Sequence, residues 1–149
     1  MAKRGLDNSD IELKDVFVPD RDRLIKARDF QSGTNRILKS SRLIIAWVGV
    51  IFSVKAYEFS IKYALERHQF GRPIAKFQLT QEKLSRMLAH SEFMLSTCVD
   101  MSLKLDRDEL TDGQIARAKA NTSRLAREVV ALAREIHGGN GILLKHRVI

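Results

Sequence analysis

The sequence predicts an all-α protein, an up-and-down helical bundle of three long helices with a short β tail at its N-terminus. Apolar residues recur at three- and four-residue steps through most of the chain, the period of an amphipathic helix. Eight Gly and two Pro in 149 residues are too few for a turn-dense β protein, and 44% apolar content suffices for a core. Ala, Leu, Lys, Arg and Glu fill the long segments, as helices favour.

The chain divides into an N-terminal tail, residues 1–35, and a helical bundle, residues 36–149. In the tail, the run from Ile11 to Val18 is β-prone, shifts phase at Asp15 and is ended by Pro19. Such a strand has no partner in this sequence and reads as one piece of a larger sheet. Residues 20–35 are polar, with loop signals at Ser32-Gly33-Thr34-Asn35.

The first long helix is expected from about Ile37 to Gln69. Leu38, Ile45, Phe52, Phe59 and Tyr63 mark its apolar face, and Ala46, Gly49 and Ala56 allow a neighbour close. Gly71 followed by Pro73 stops it. Its longest apolar run, Leu43 to Val54, is too short to span a bilayer and reads as the buried centre of a bundle helix. The second helix, about Leu79 to Asp106, carries Leu84, Leu88, Ser91, Leu95, Cys98 and Leu105 on its inner side. Met87, Met94 and Met101 read as core filling. Thr111 and Gln114 form a capping box for the third helix. That helix places Ile115, Ala118, Thr122, Leu125, Val129, Leu132 and Ile136 on one stripe and ends at Gly138-Gly139. From Ile142 the chain starts toward a further helix. Three antiparallel helices make a bundle short of one wall.

Charge and cysteine use narrow the partners. Lys and Arg number 26 against 18 Asp and Glu, a net charge of +8. Nucleic acid, an anionic membrane or a phosphate-rich small molecule would each suit that excess, as would an acidic remainder elsewhere in a longer protein. The basic residues are spread along all the helices, which argues against a nucleic-acid face. A single cysteine, Cys98, allows no internal disulfide, falls on a helix stripe and fits a reducing compartment. Met1–Gly5 shows no apolar signal region, and the last residues, His146 to Ile149, form no peroxisomal tripeptide. The histidines share no metal-ligand spacing.

Two places could carry chemistry. Arg67 stands at the end of the first helix, where the dipole favours a cation, so it either caps carbonyls or meets a phosphate. Gly138-Gly139-Asn140-Gly141 follows no strand and is not a dinucleotide fingerprint; it is a helix-ending turn that could also let a ligand approach. Arg42, on the face of Leu38 and Ile45, either reaches water or holds an acceptor such as a carbonyl or phosphate.

Five stretches in order resemble one family: Leu13 to Pro19, Ser41 to Trp47, Arg67 to Pro73, Phe77 to Leu84, and Ile136 to Ile142. Together they resemble the C-terminal part of the acyl-CoA dehydrogenase and acyl-CoA oxidase family, most of all its glutaryl-CoA dehydrogenase and short-chain oxidase branch. The resemblance covers about residues 10–149. It implies a C-terminal four-helix bundle following a β-domain, with residues 11–18 as that domain's exit strand. It implies FAD held between subunits of a homodimer or homotetramer, and flavin-dependent α,β-dehydrogenation of an acyl-CoA in fatty-acid or amino-acid breakdown. Arg67, Gln69 and Phe70 match the segment contacting the FAD pyrophosphate, and Gln78 a further cofactor contact. Glu135, Gly138 and Gly139 match the turn around the adenine end, where many relatives carry Gln at the position of Glu135. Arg42 matches the Arg that helps hold the acyl-CoA. The family's catalytic carboxylate lies in a Tyr-Glu-Gly-Thr-like stretch beyond the counterpart of Ile149. No catalytic residue is therefore expected here, and the chain reads as truncated before its base. The alternative is a non-catalytic helical interaction or scaffold module derived from that family. The mitochondrial matrix or the peroxisome would be the compartment by resemblance.

Overall fold

A computed structural model describes residues 9–148. The targeting readings at Met1–Gly5 and at Ile149 lie outside the described residues. Three helices, α1 (Phe30–Glu66), α2 (Gln78–Asp106) and α3 (Asp112–His137), pack side by side as the sequence predicts. Between α1 and α2 lies a small antiparallel hairpin of β1 (His68–Gln69) and β2 (Arg72–Pro73), and 3-10 turns follow α3 at Gly138–Ile142 and Leu144–His146. The β-prone run at 11–18 forms no strand. It finds no ladder partner, bends at Asp15 with φ 50°, and leaves Ile11, Phe17 and Val18 exposed. A strand needs a neighbour for its backbone groups, and among the described residues none stands beside it.

α1 starts earlier than its periodicity suggests. Asp29 caps it: its carboxylate accepts from the Ser32 amide at 2.6 Å, and Ser32 Oγ accepts from the Asp29 amide at 3.2 Å. Ser32 to Asn35 therefore lie within the first two turns of α1 and are not a loop. The helix also ends earlier, at Glu66, because Phe70 and Gly71 both take positive φ (51° and 77°) and fold residues 68–73 into the hairpin. Consecutive positive φ values are what a tight hairpin turn requires.

The inner face of α1 is mostly small residues, with Leu43 and Val50 buried among them. Ala46, Gly49, Ser53, Ala56, Ser60 and Ala64 are buried, whereas Leu38 and Phe52 stay 37% and 45% exposed. The expected stripe of large residues is thus corrected: they flank the seam, and small ones form it. Backbone closeness explains this. A Cβ on Gly49 would lie 3.3 Å from the Thr122 carbonyl oxygen of α3. α1 is long and apolar enough to cross a bilayer by composition, but it packs against both other helices as a bundle helix.

On α2 the buried residues are Met87, Ser91, Met94, Cys98 and Met101, while Leu88 and Leu95 face outward. The methionines and Cys98 fill the core as expected; the two leucines do not. Met87 and Met94 are fully enclosed, worth about 1.5–3 kcal/mol each in transfer free energy. On α3 every member of the predicted stripe, from Ile115 to Ile136, is buried, and the Thr111–Gln114 capping box forms.

The interior hydroxyls are satisfied within their own helices. Ser53, Ser60, Ser91 and Thr122 each donate to the carbonyl one turn back, at 2.7–2.9 Å. Polar bonds between helices stand elsewhere: Trp47 Nε1 donates to Ser102 Oγ at 3.1 Å, and Arg86 of α2 pairs with Glu128 of α3.

Candidate functional site at the bundle tip

The C-terminal ends of α1 and α3, the hairpin and the start of α2 meet at one end of the bundle. There Tyr63 stacks on His137, with ring centroids 4.3 Å apart and planes 22° from parallel. Asn140, in the turn after α3, donates to Tyr63 Oη at 3.0 Å, and Tyr63 Oη lies 3.4 Å from the His137 carbonyl. His146 packs edge-on to both rings. This cluster fastens the end of α1 to the glycine turn.

Two glycines make that turn possible. Gly138 ends α3 at φ 56°, ψ −132°, a conformation side chains other than hydrogen strongly resist. Gly141 is buried against α3, where a Cβ would meet the Arg134 carbonyl oxygen at 2.5 Å. The turn therefore folds back tightly onto the helix it follows.

An open cleft of about 390 Å3 results, lined by Arg67, Gln69, Gly138 and Gly139 with Tyr63 and Asn140 among its walls. An adjoining cleft of about 320 Å3 contains Gln69, Phe70, Lys83 and Glu135, together with Leu79 and Thr80 from the first turn of α2. Six of the eight sequence-predicted residues thus gather at the tip. Gln78 stands exposed at the start of α2 and lines neither cleft. Arg42 is half-buried toward the opposite end of α1, about 37 Å from Arg67 at ~1.5 Å per residue. It shares no site with the others.

The chemistry of the tip suits a nucleotide's phosphate and ring edges. Arg67 follows the end of α1 and is exposed. The N-cap of α2, Phe77, offers no side-chain hydrogen bond, so first-turn amides keep their attraction for an anion. Phe70 is 91% exposed at the hairpin turn, touching Phe77 edge-on at 6.2 Å, while Arg72 lies over the Phe77 ring at 4.4 Å. Lys83 binds Glu135 at 2.8 Å and thereby holds its carboxyl below the usual carboxylate range. Burial pushes the His137 imidazole down, although the Ala133 carbonyl, 2.8 Å from Nδ1, opposes that. His137 is therefore a neutral structural ring that donates through Nδ1. Tyr63, His137 and Lys83 escape a reading by motif. Tyr63 does fall on the apolar stripe, but its stacking partner lies on a different helix.

A three-helix bundle of this shape, with a cation, an uncapped helix start and a double-glycine turn at one tip, is the architecture of an acyl-CoA dehydrogenase-type helical domain. Residues 32–149 match the acyl-CoA dehydrogenase C-terminal domain, and the chain belongs to that family. Over 148 residues it is 31% identical to the caffeyl-CoA reductase–Etf complex subunit CarC of Acetobacterium woodii, covering 99% of this chain and 39% of that protein. The structure is similar to glutaryl-CoA dehydrogenase from Mycobacterium smegmatis, with a TM-score of 0.85 and 31% identity over 88% of this chain and 34% of that one. Butyryl-CoA dehydrogenase from Megasphaera elsdenii aligns at a TM-score of 0.73 and 26% identity, over 76% of this chain and 30% of its own. The chain thus spans well under half the length of these relatives.

Proposed function

We propose that the chain is the FAD-contacting helical domain of an acyl-CoA dehydrogenase or oxidase, an enzyme that removes hydrogens from the α and β carbons of an acyl-CoA thioester. When bound, the flavin would accept the hydride of that reaction. The residues described here bind and position. Arg67 and the first-turn amides of α2 suit the pyrophosphate, Gln69 and Gln78 offer amides to it, and exposed Phe70 offers a face for a ring. Gly138 and Gly139 let the adenine end approach the backbone, with Glu135 beside them. Each cleft is open and takes only one edge of so large a cofactor, which supports a site shared between subunits of a homodimer or homotetramer. Arg42, remote from the tip, suits the acyl-CoA. The carboxylate at the tip, Glu135, is bound to Lys83, which fits it to orient a ligand and not to take a proton. On this reading no residue described here is the catalytic base.

The observation that carries the proposal is the convergence of Arg67 and Gly138-Gly139 on one cleft. Titrating the full chain with FAD, followed by quenching of flavin fluorescence and by sedimentation, tests it. Arg67→Ala should weaken binding by about tenfold, the worth of a charge-assisted contact. Unchanged affinity in a folded R67A protein, or no FAD binding at any state of assembly, would refute it. A non-catalytic interaction module is the second reading, favoured by the uncovered long side of the bundle.

A further inference from the structure

One carboxylate stands among the cations of the tip. Glu135 lies between two clefts, lining the one with Gln69 and Phe70 and a further one of about 330 Å3 with Arg134, Gly138 and Gly141. Among the described residues no other acid lines these clefts or the one at Arg67. Its place is unfavourable on two counts. Glu135 sits in the last turn of α3, where the helix dipole disfavours a negative charge. It also adjoins the ground where a diphosphate would approach Arg67, because Gln69 and Ile136 line both that cleft and Glu135's own. An unbalanced carboxylate there would repel the ligand that Arg67 attracts.

Lys83 answers both difficulties. It reaches from the second turn of α2 across to α3, with Nζ 2.8 Å from Glu135 Oε2. The lysine is the more enclosed partner, its side chain 29% exposed against 58% for the carboxylate, so the cation is the anchor and the acid the arm it holds. That hydrogen bond first, and the lysine charge second, keep the Glu135 carboxyl below the usual carboxylate range, so the acid is ionised near neutrality. Arg86, whose charge also acts on it, is occupied by Glu82 and Glu128. Lys83 is therefore the direct partner of Glu135 among the described residues. Resting on the reading of the tip as a diphosphate site, we propose that Lys83 is its positioning residue: it cancels the charge of Glu135 and fixes that side chain against α2, leaving Arg67 to set the attraction for the ligand. Lys83 itself touches no phosphate. The ligand class is a diphosphate, either free or as the centre of a dinucleotide.

Inorganic pyrophosphate, titrated into the full chain and followed by the amide NMR shifts of Arg67, Gln69 and Gly138, reads the free diphosphate; quenching of FAD fluorescence reads the dinucleotide. Lys83→Met keeps the apolar stem and removes the charge. It should weaken both ligands about fivefold, the effect of one unit charge in close contact at water-like screening. Glu135→Gln should tighten both by a similar factor, since it removes the repelling charge and frees the lysine. The double variant should recover most of what Lys83→Met loses. A strap that merely joined α2 to α3 would give neither the opposite signs nor the recovery. If both single variants weaken binding alike, the pair is such a strap and the proposal is overturned. If the double variant stays as weak as Lys83→Met, the lysine touches the phosphate itself, which overturns it too. Circular dichroism checks each fold; should Lys83→Met not fold, Glu135→Gln decides alone, with tighter binding in support and weaker binding against. The underlying reading fails separately. FAD binding that ignores both charge changes ends the role of Lys83 and leaves the tip a cofactor site. Pyrophosphate binding with the expected responses but no FAD uptake keeps that role and ends the cofactor reading. Binding of neither ligand ends both.

Discussion

Replacing Gly141 with alanine puts a methyl group where the backbone of α3 already stands. Its Cβ would lie 2.5 Å from the Arg134 oxygen, 3.0 Å from the Arg134 Cα and 3.1 Å from its carbonyl carbon. Every neighbour is main chain inside a helix, so no side chain can swing aside and the turn at Gly138–Ile142 must lift. Overpacking costs about 1–3 kcal/mol, and a clash against backbone alone belongs near 3. For a chain of this size that corresponds to a melting temperature lowered by about 6–12 °C. Gly139→Ala is the control, because nothing lies within 4 Å of its Cβ and its φ is not positive. That change should stay within about 0.5 kcal/mol. Urea and thermal unfolding followed by circular dichroism measure both. If the Gly141 variant melts with the wild type, or the two variants fall together, the close return of the turn onto α3 is wrong.

Two further outcomes follow from burial. His137, whose folded pKa lies below its ordinary value of 6.5, stabilises the fold fully above that value and loses the contribution as pH falls through the folded pKa. The urea midpoint should therefore drop between pH 7.5 and pH 5 by more in the wild type than in His137→Phe, and equal drops would contradict the assignment. Cys98 is fully buried with its thiol pushed up to about 11, so Ellman's reagent should label it only as the protein unfolds. Labelling at the rate of a free thiol under native conditions would show that the α2 face is open.

The parts of this fold legible in the sequence are those where side-chain size and inwardness coincide. On α3 they do, and the whole stripe from Ile115 to Ile136 reads correctly. On α1 they separate: the helix approaches α3 so closely that its seam is mostly Ala, Gly and Ser, and the large residues Leu38 and Phe52 lie beside the contact. Leu88 and Leu95 mislead in the same way, because flexible methionines fill the irregular space on α2. The start of α1 is hidden because Ser32 to Asn35 have loop-like composition, and the Asp29–Ser32 exchange outweighs it. At the tip, Arg67 and the double glycine are visible as helix-end signals. The Tyr63–His137 stack and the Lys83–Glu135 pair join residues of different helices, and no spacing along one segment announces them. Arg42 shows the reverse: resemblance names it, but only length along the helix reveals how far it stands from the rest.

Because the hydroxyls of Ser53, Ser60, Ser91 and Thr122 each answer to their own helix, none of them tells one rod how far to slide past the next. Among the described residues, two side chains of α1 hydrogen-bond to other elements: the indole of Trp47, at mid-helix, to Ser102, and the phenol of Tyr63, near the C-terminal end, with Asn140. The first ties it to α2 and the second to the turn after α3. Between them, shape alone keeps step. The stretch of α1 between Trp47 and Tyr63 can therefore rotate slightly while its C-terminal end stays indexed, so a perturbation there should reach the tip only if it also unseats one of those two pins.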